Sequence, residues 1–411
     1  MIEPRSRGLF QSLFALFILY GTTFTIVGAT LPRILTSFHW NYLAAGSVLA
    51  SDAVAYFLST FAAGYLVKHW GPKPTILLGL TLIIAGLTFF ATTPHPLTNA
   101  LLLTLIGLGQ GGVEVGVNWS TLRIDTHNTG RPMNLMHGAF AAGAILGPLA
   151  VSLLMHSGLE WTAVYRDVAA IFVLMAVLIA FATLPPVEQT AEEHEAPERL
   201  SANPAYWLSF FALLLYVGVE LGFSNWVAEY FVAVFAYSPD AGAMIVSLFW
   251  GGLLTGRFGV PLLYKGSRAD AVWIGLSGLA TVSIILLTLL GHAAHNPLAG
   301  DIGRGLVFLG GLGCSIYYPT VITMLGKCFP HAQSQAIGFA ATGGGIGAFL
   351  FPFLMSSIAQ HWGIRTGFVT YAVFAIAMTI VGLWLAIIAN KAKGARAPTL
   401  PHKSAPGLSG P

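Results

Sequence analysis

Three carboxylates lie inside long apolar runs, where an ionised acid is costly: Asp52, Glu114 and Glu220. Placing a charged side chain in hydrocarbon costs at least ~2.5 kcal/mol, so such a group is expected to face a partner, a water-filled cavity or a ligand. An acid held there can take up and release a proton, which is the chemistry of cation coupling. Glu220 sits in YVGVELGFSNWVAEYF, residues 216–231, directly after the apolar YWLSFFALLL. On a helix Tyr216 and Ser224 share its face. Asn225 and Trp226 are rotated away, and they reach the same site only if the helix unwinds or bends near Gly218 or Gly222. Glu229, further on, reads as an exposed outer-end residue.

The run around Glu114 carries a polar stripe. Gln110, Glu114 and Asn118 follow at i, i+4 and i+8, with Thr121 at i+11, so all four fall on one helical face. The stripe is either an interhelical hydrogen-bond cluster or a substrate and proton site. Asp52 has Tyr56 at i+4 and Ser59 at i+7, and either titrates or forms a gate pair. Arg257, near the end of its run, reads as a gate or snorkelling residue. His137 is either a solute ligand or an ordinary helix-start histidine. Tyr317 and Tyr318 either stack on a substrate ring or pack the core, and Pro319 beside them predicts a kink.

These groups need helices that cross a membrane. The chain has 411 residues, 55% hydrophobic and 9% charged, with mean hydropathy +0.75. A soluble domain carries about 25% charged residues, so lipid is the expected solvent. A net charge of +3 gives no reason to expect nucleic acid. The only cysteines, Cys314 and Cys328, lie too far apart on one helix to bridge and form no metal pattern. There is no nucleotide loop, so no cofactor is expected beyond a coupling ion, H+ or Na+. The amino terminus runs straight into an apolar segment without a small-residue cleavage site and reads as a retained first span.

At about 20 apolar residues per crossing, twelve spans are expected, near 9–31, 42–67, 74–93, 98–123, 133–155, 163–185, 205–232, 240–264, 270–292, 300–326, 333–359 and 366–390. Loop charge supports this count. Fourteen Lys and Arg fall on the side of the amino terminus, and four (Arg33, Arg166, Arg304 and Arg365) on the other. That bias predicts cytoplasmic termini.

PVEQTAEEHEAPERLSAN, residues 186–203, is an acidic cytoplasmic linker. It divides the chain into six-helix bundles over 1–185 and 204–390, with a basic, disordered tail over 391–411. The halves resemble each other: GAFAAGAILGPLAVSLLMHS (138–157) matches GFAATGGGIGAFLFPFLMSS (338–357) at seven positions without gaps. Paired halves around a midplane site are a transporter architecture.

The chain resembles the major facilitator superfamily along essentially its whole length. GYLVKHWGPK (64–73) is similar to that family's loop G-x-L-x-D-x-x-G-[RK]-[RK], with Lys68 at the aspartate position. Within the superfamily it most resembles the fucose/glucose–cation symporters. GLGQGGVEVGVNW (107–119), RPMNLMHGAFAAGAILGP (131–148) and YVGVELGFSNWVAEY (216–230) are similar to their fourth, fifth and seventh spans. The resemblance implies an all-α membrane protein of twelve helices in two pseudo-symmetric bundles, not an enzyme, that moves a sugar-like solute by alternating access in the inner membrane. It also implies a monomer. Coupling is expected at Glu114, Glu220 and Asp52. Solute binding is expected at Gln110, Asn118, Asn225, Trp226, Tyr317, Tyr318 and His137, and gating at Lys68, Lys73 and Arg257. The first span lacks the carboxylate that some sugar–proton members carry. A rival expectation is a proton-coupled exporter of drugs or amphipaths, suggested by Gly143-x-x-x-Gly147-Pro148. A sensor or enzyme on the same scaffold has only the linker and tail in its favour.

Overall fold

Among the described residues, six of the thirteen helices begin on a proline or behind a capping asparagine. In the computed structural model, which describes residues 6–125, 131–185, 200–264, 269–329 and 332–395, the helices are α1 (Arg7–Thr23), α2 (Ile26–Phe38), α3 (Tyr42–Trp70), α4 (Pro72–Phe89), α5 (Pro96–Ile124), α6 (Arg131–His156), α7 (Ala163–Phe181), α8 (Pro204–Phe235), α9 (Pro239–Leu263), α10 (Ala269–Leu290), α11 (Pro297–Cys314), α12 (Tyr317–Cys328) and α13 (Gln333–Ala395). Five of them open on proline, whose missing N–H costs nothing in a first turn. Asn41, Asn203 and Asn296 cap α3, α8 and α11 through their side-chain oxygens.

Two spans are broken near mid-depth. α1 and α2 form one 32-residue crossing, interrupted where the hydroxyls of Thr22, Thr23 and Thr25 bond back to carbonyls three residues earlier. The α11–α12 break falls at Ser315–Ile316. Pro319 cannot donate to the Ser315 carbonyl four residues before it, so that oxygen is left free. At the far end of the chain, α13 is two helices that meet at Gly363, where φ is 81°. The described residues contain eleven long apolar segments, the last spanning 55 residues. Divided at Gly363, that segment supplies two crossings and the total becomes twelve.

Successive crossings alternate in direction, which defines an amino-terminal face, where α1 begins, and a far face. α1 packs on α6, α3 and α4 pack on α5, and α7 lies against α4. In the second half α8 packs on α13, and α9 and α10 pack on α11. The repeated sequence plays the same part in each half. A Cβ at Gly143 would strike the Ile18 carbonyl of α1, and one at Gly343 would strike the Phe210 carbonyl of α8. Small residues at these positions let backbones meet, as tight packing in lipid requires. α3 against α13, α6 against α9, and α2 against α8 and α9 join the two halves.

Of the expected acidic linker, 186–199 lie outside the described residues, and Leu200–Ala202 form a short turn. α13 continues to Ala395, into the stretch read as tail, and 396–411 lie outside the described residues.

Candidate functional site

Side chains from both halves enclose a chamber of about 480 Å³. Its lining residues occupy the middle, or the half nearer the amino-terminal face, of α1, α3, α5, α6, α8, α9, α12 and α13. The chamber therefore opens toward the amino-terminal face. Nine of its 24 lining residues are Phe, Tyr or Trp. Tyr20 stacks on Phe17 at 5.0 Å, and Phe24 meets Tyr56 edge-on at 5.4 Å. Phe140 of α6 meets Trp250 of α9 edge-on across the halves at 5.8 Å.

Glu114 and Glu220 enter this chamber from opposite halves. Glu114 Oε2 accepts hydrogen bonds from Tyr20 Oη at 3.2 Å and Tyr56 Oη at 2.5 Å. Glu220 is differently held. Its Oε1 accepts from Tyr216 Oη at 2.7 Å and lies 3.6 Å from an Arg257 guanidinium nitrogen. Arg257 Nε also donates to the Ser315 carbonyl, the oxygen that Pro319 leaves free. The sequence expectation made Arg257 a gate; in the structure it is the counter-ion of Glu220 inside the chamber. Among the described residues, Glu114 makes no ion pair of this kind.

Asn118, His137 and Tyr318 also line the chamber. The Asn118 Oδ1 is buried with no hydrogen-bond partner among the described residues, and the Tyr318 ring packs on Tyr216 with centroids 6.3 Å apart. Asp52 does not share this space. It lines a separate enclosed pocket of about 30 Å³ toward the far face, with Thr23 and Asn225, and its Oδ1 has no hydrogen-bond partner among the described residues. Phe24, Tyr56, Leu221 and Ala348 border both spaces and form the partition between them.

Four expected solute ligands lie elsewhere. Gln110 is fully buried and donates to Thr23 Oγ1 at 2.9 Å, so it ties α5 to the α1 end. The polar stripe splits because each step of four residues advances 40° beyond a full turn; Asn118 is thus rotated about 80° from Gln110. Trp226 is fully buried against Tyr42, with ring centroids 5.9 Å apart. It and Asn225 stay out of the chamber because α8 remains one helix from Pro204 to Phe235, and the bend that would have turned them inward is absent. Tyr317 is a packing residue: it stacks on Tyr216 at 5.2 Å and donates to the Met378 carbonyl.

Of the expected gate lysines, Lys73 donates to the Ala182 carbonyl at the end of α7, within its own half. Lys68 is exposed near the end of α3. Instead the far face is held by a residue read as exposed: Glu229 is buried and accepts from Tyr42 Oη at 3.1 Å, joining α8 to α3. Gly28 of α2 lies against the Asn225 backbone beside it. Tyr20 was missed as a ligand of Glu114, because a lone tyrosine in an apolar span looks like packing. Tyr56 had been assigned to Asp52. Among the described residues, neither cysteine is in a disulfide.

A helical bundle with a midplane chamber sealed on one face has the form of a secondary transporter. The Major Facilitator Superfamily model matches residues 13–301 and 305–406, and the chain belongs to that family. An uncharacterized MFS-type transporter of Yersinia pestis is 25% identical, the match covering 80% of this chain and 83% of the relative. Among solved structures, a D-xylose–proton symporter superposes with a TM-score of 0.75 at 13% identity, covering 92% of this chain and 96% of that one. A variant of the nucleoside transporter NupG gives a TM-score of 0.75 at 15% identity, covering 92% and 98%. At those identities the structures establish the fold alone. The protein is thus a multi-pass membrane transporter of the major facilitator fold, not an enzyme, and proteins of this family generally need no cofactor.

Proposed function

We propose that the protein is a cation-coupled, alternating-access transporter of a small polar solute, a sugar or related polyhydroxy compound, with H+ as the coupling ion. The observation that carries this is the setting of Glu114: a carboxyl group open to the chamber, held by two tyrosine hydroxyls and in no ion pair among the described residues. Glu220 is neutralised by Arg257, so Glu114 is the chamber carboxyl left to take up the proton. Asn118 and His137 bind hydroxyls, while Tyr318 and Trp250 give apolar faces to a ring. Asp52, in its closed pocket toward the far face, takes the proton when that face opens.

The sugar assignment rests on the resemblance of residues 107–119, 131–148 and 216–230 to the fucose/glucose–cation symporters. The fold shared with a xylose–proton symporter is consistent with it. Loop charge supports cytoplasmic termini and an inner-membrane location. The aromatic wall favours a second reading, proton-coupled export of amphipathic compounds. The Gly143–Gly147 element, by contrast, is accounted for by its packing on α1.

The test uses proteoliposomes loaded with a pH-sensitive dye and challenged with sugars, nucleosides and amphipathic cations. A sugar that drives proton movement in its own direction supports symport. Proton movement opposite to an amphipathic cation supports the exporter. Solute movement without any proton or sodium dependence would sink both.

A further inference from the structure

Outside the chamber, the two legs of α13 diverge from Gly363 and enclose a crevice of about 510 Å³ on the lipid-facing surface. Ile358 and Trp362 line it from the first leg, and Val369 and Val373 from the second. Trp362 and Val373 are 68% and 55% exposed. At the apex, on the far face, Arg365 is joined by His292 from the turn that follows α10. Arg365 is exposed and makes no ion pair among the described residues. From Gly363 to Val373 the second leg rises about 15 Å at ~1.5 Å per residue. That is the hydrocarbon depth of one leaflet, half of the ~30 Å bilayer core.

We propose that this crevice is a binding site for an anionic phospholipid of the far-face leaflet. One acyl chain lies along Ile358, Val369 and Val373, and the headgroup phosphate is held by Arg365 with His292 beside it. A guanidinium fork matches phosphate geometry, and Trp362 stands at the depth where indoles anchor in the interface. Free phosphate would use the apex and leave the apolar crevice empty, so lipid is the occupant that fits both parts. The lipid also bridges the two legs of α13 at their one non-helical residue, and so steadies the last two crossings.

The experiment titrates purified full-length protein in detergent with phosphatidylglycerol, phosphatidylcholine or inorganic phosphate. It reads thermal stability and lipid retention in native mass spectra. Phosphatidylglycerol should stabilise and remain bound, with phosphatidylcholine weaker and phosphate without effect. Arg365→Gln should weaken phosphatidylglycerol about fivefold, the equivalent of the ~1 kcal/mol that one basic residue contributes near an anionic surface. Arg365→Lys should keep most of the effect. Val369→Trp, a lipid-facing change that fills the crevice and leaves the charge, should abolish it. Equal stabilisation by phosphatidylcholine, full stabilisation by phosphate, or an unchanged phosphatidylglycerol effect in both Arg365→Gln and Val369→Trp would overturn the proposal.

Discussion

Removing Arg257 should harm the protein more than removing its partner, and removing both should repair part of the damage. At 3.6 Å and an effective dielectric of ~20, the pair's attraction is roughly 4–5 kcal/mol before desolvation is subtracted. Arg257→Gln strands Glu220, which is 7% exposed, with only the Tyr216 hydroxyl; an uncompensated buried charge costs ~3–5 kcal/mol. Glu220→Gln strands a guanidinium whose side chain is 24% exposed to the chamber and which keeps the Ser315 carbonyl, so the loss should be on the order of 1 kcal/mol. The assay is thermal unfolding of the four proteins of a double-mutant cycle in detergent. Arg257→Gln should unfold on the order of 5 °C below wild type, with Glu220→Gln/Arg257→Gln in between. The Arg257→Gln deficit should shrink as pH falls, because protonation discharges the stranded carboxylate. If Arg257→Gln melts with wild type, or if the double variant is no better than Arg257→Gln, the two groups are not coupled and the charge assignment in the chamber is wrong.

Other consequences follow from the same geometry. Tyr56→Phe deletes one of two donors to Glu114 Oε2; at ~1.5–3 kcal/mol for a charge-assisted bond, gradient-driven uptake should fall about tenfold or more, measured in proteoliposomes. Glu229→Gln loosens the Tyr42 contact on the far face and should raise far-face opening on the order of tenfold. Modification of Asn225→Cys by an impermeant thiol reagent, in a background lacking Cys314 and Cys328, reads that opening. Tyr318→Ala should weaken solute binding while Trp226→Phe leaves it unchanged, since only Tyr318 lines the chamber; isothermal titration separates the two. Gly143→Val should prevent folding because of the Ile18 carbonyl, and Gly305→Ala, which meets open space, should melt as wild type does.

The crossings were legible because each needs its own run of apolar residues, and length and hydropathy are local properties. The repeat was legible for a similar reason: Gly143 and Gly343 solve the same packing problem in each half. Contacts between distant residues were not. Nothing near Glu220 in sequence announces Arg257, which reaches it only because α8 and α9 pack together. Glu229 looked exposed because Tyr42, its partner, lies 187 residues away. Helical spacing placed Glu114 and Asn118 correctly relative to each other, but it could not show how far the stripe drifts, and so misplaced Gln110. Asn225 and Trp226 were tied to the site by an imagined bend in α8, yet the glycines that would permit one are used for close approach to Phe351 and Tyr371.

The most direct test of the account is Glu114→Gln in proteoliposomes with a transported solute. Exchange of labelled for unlabelled solute should persist, since a neutral side chain at 114 mimics the protonated state, while accumulation driven by a proton gradient should vanish. Gradient-driven accumulation at the wild-type level in Glu114→Gln would contradict the claim that this carboxylate carries the proton.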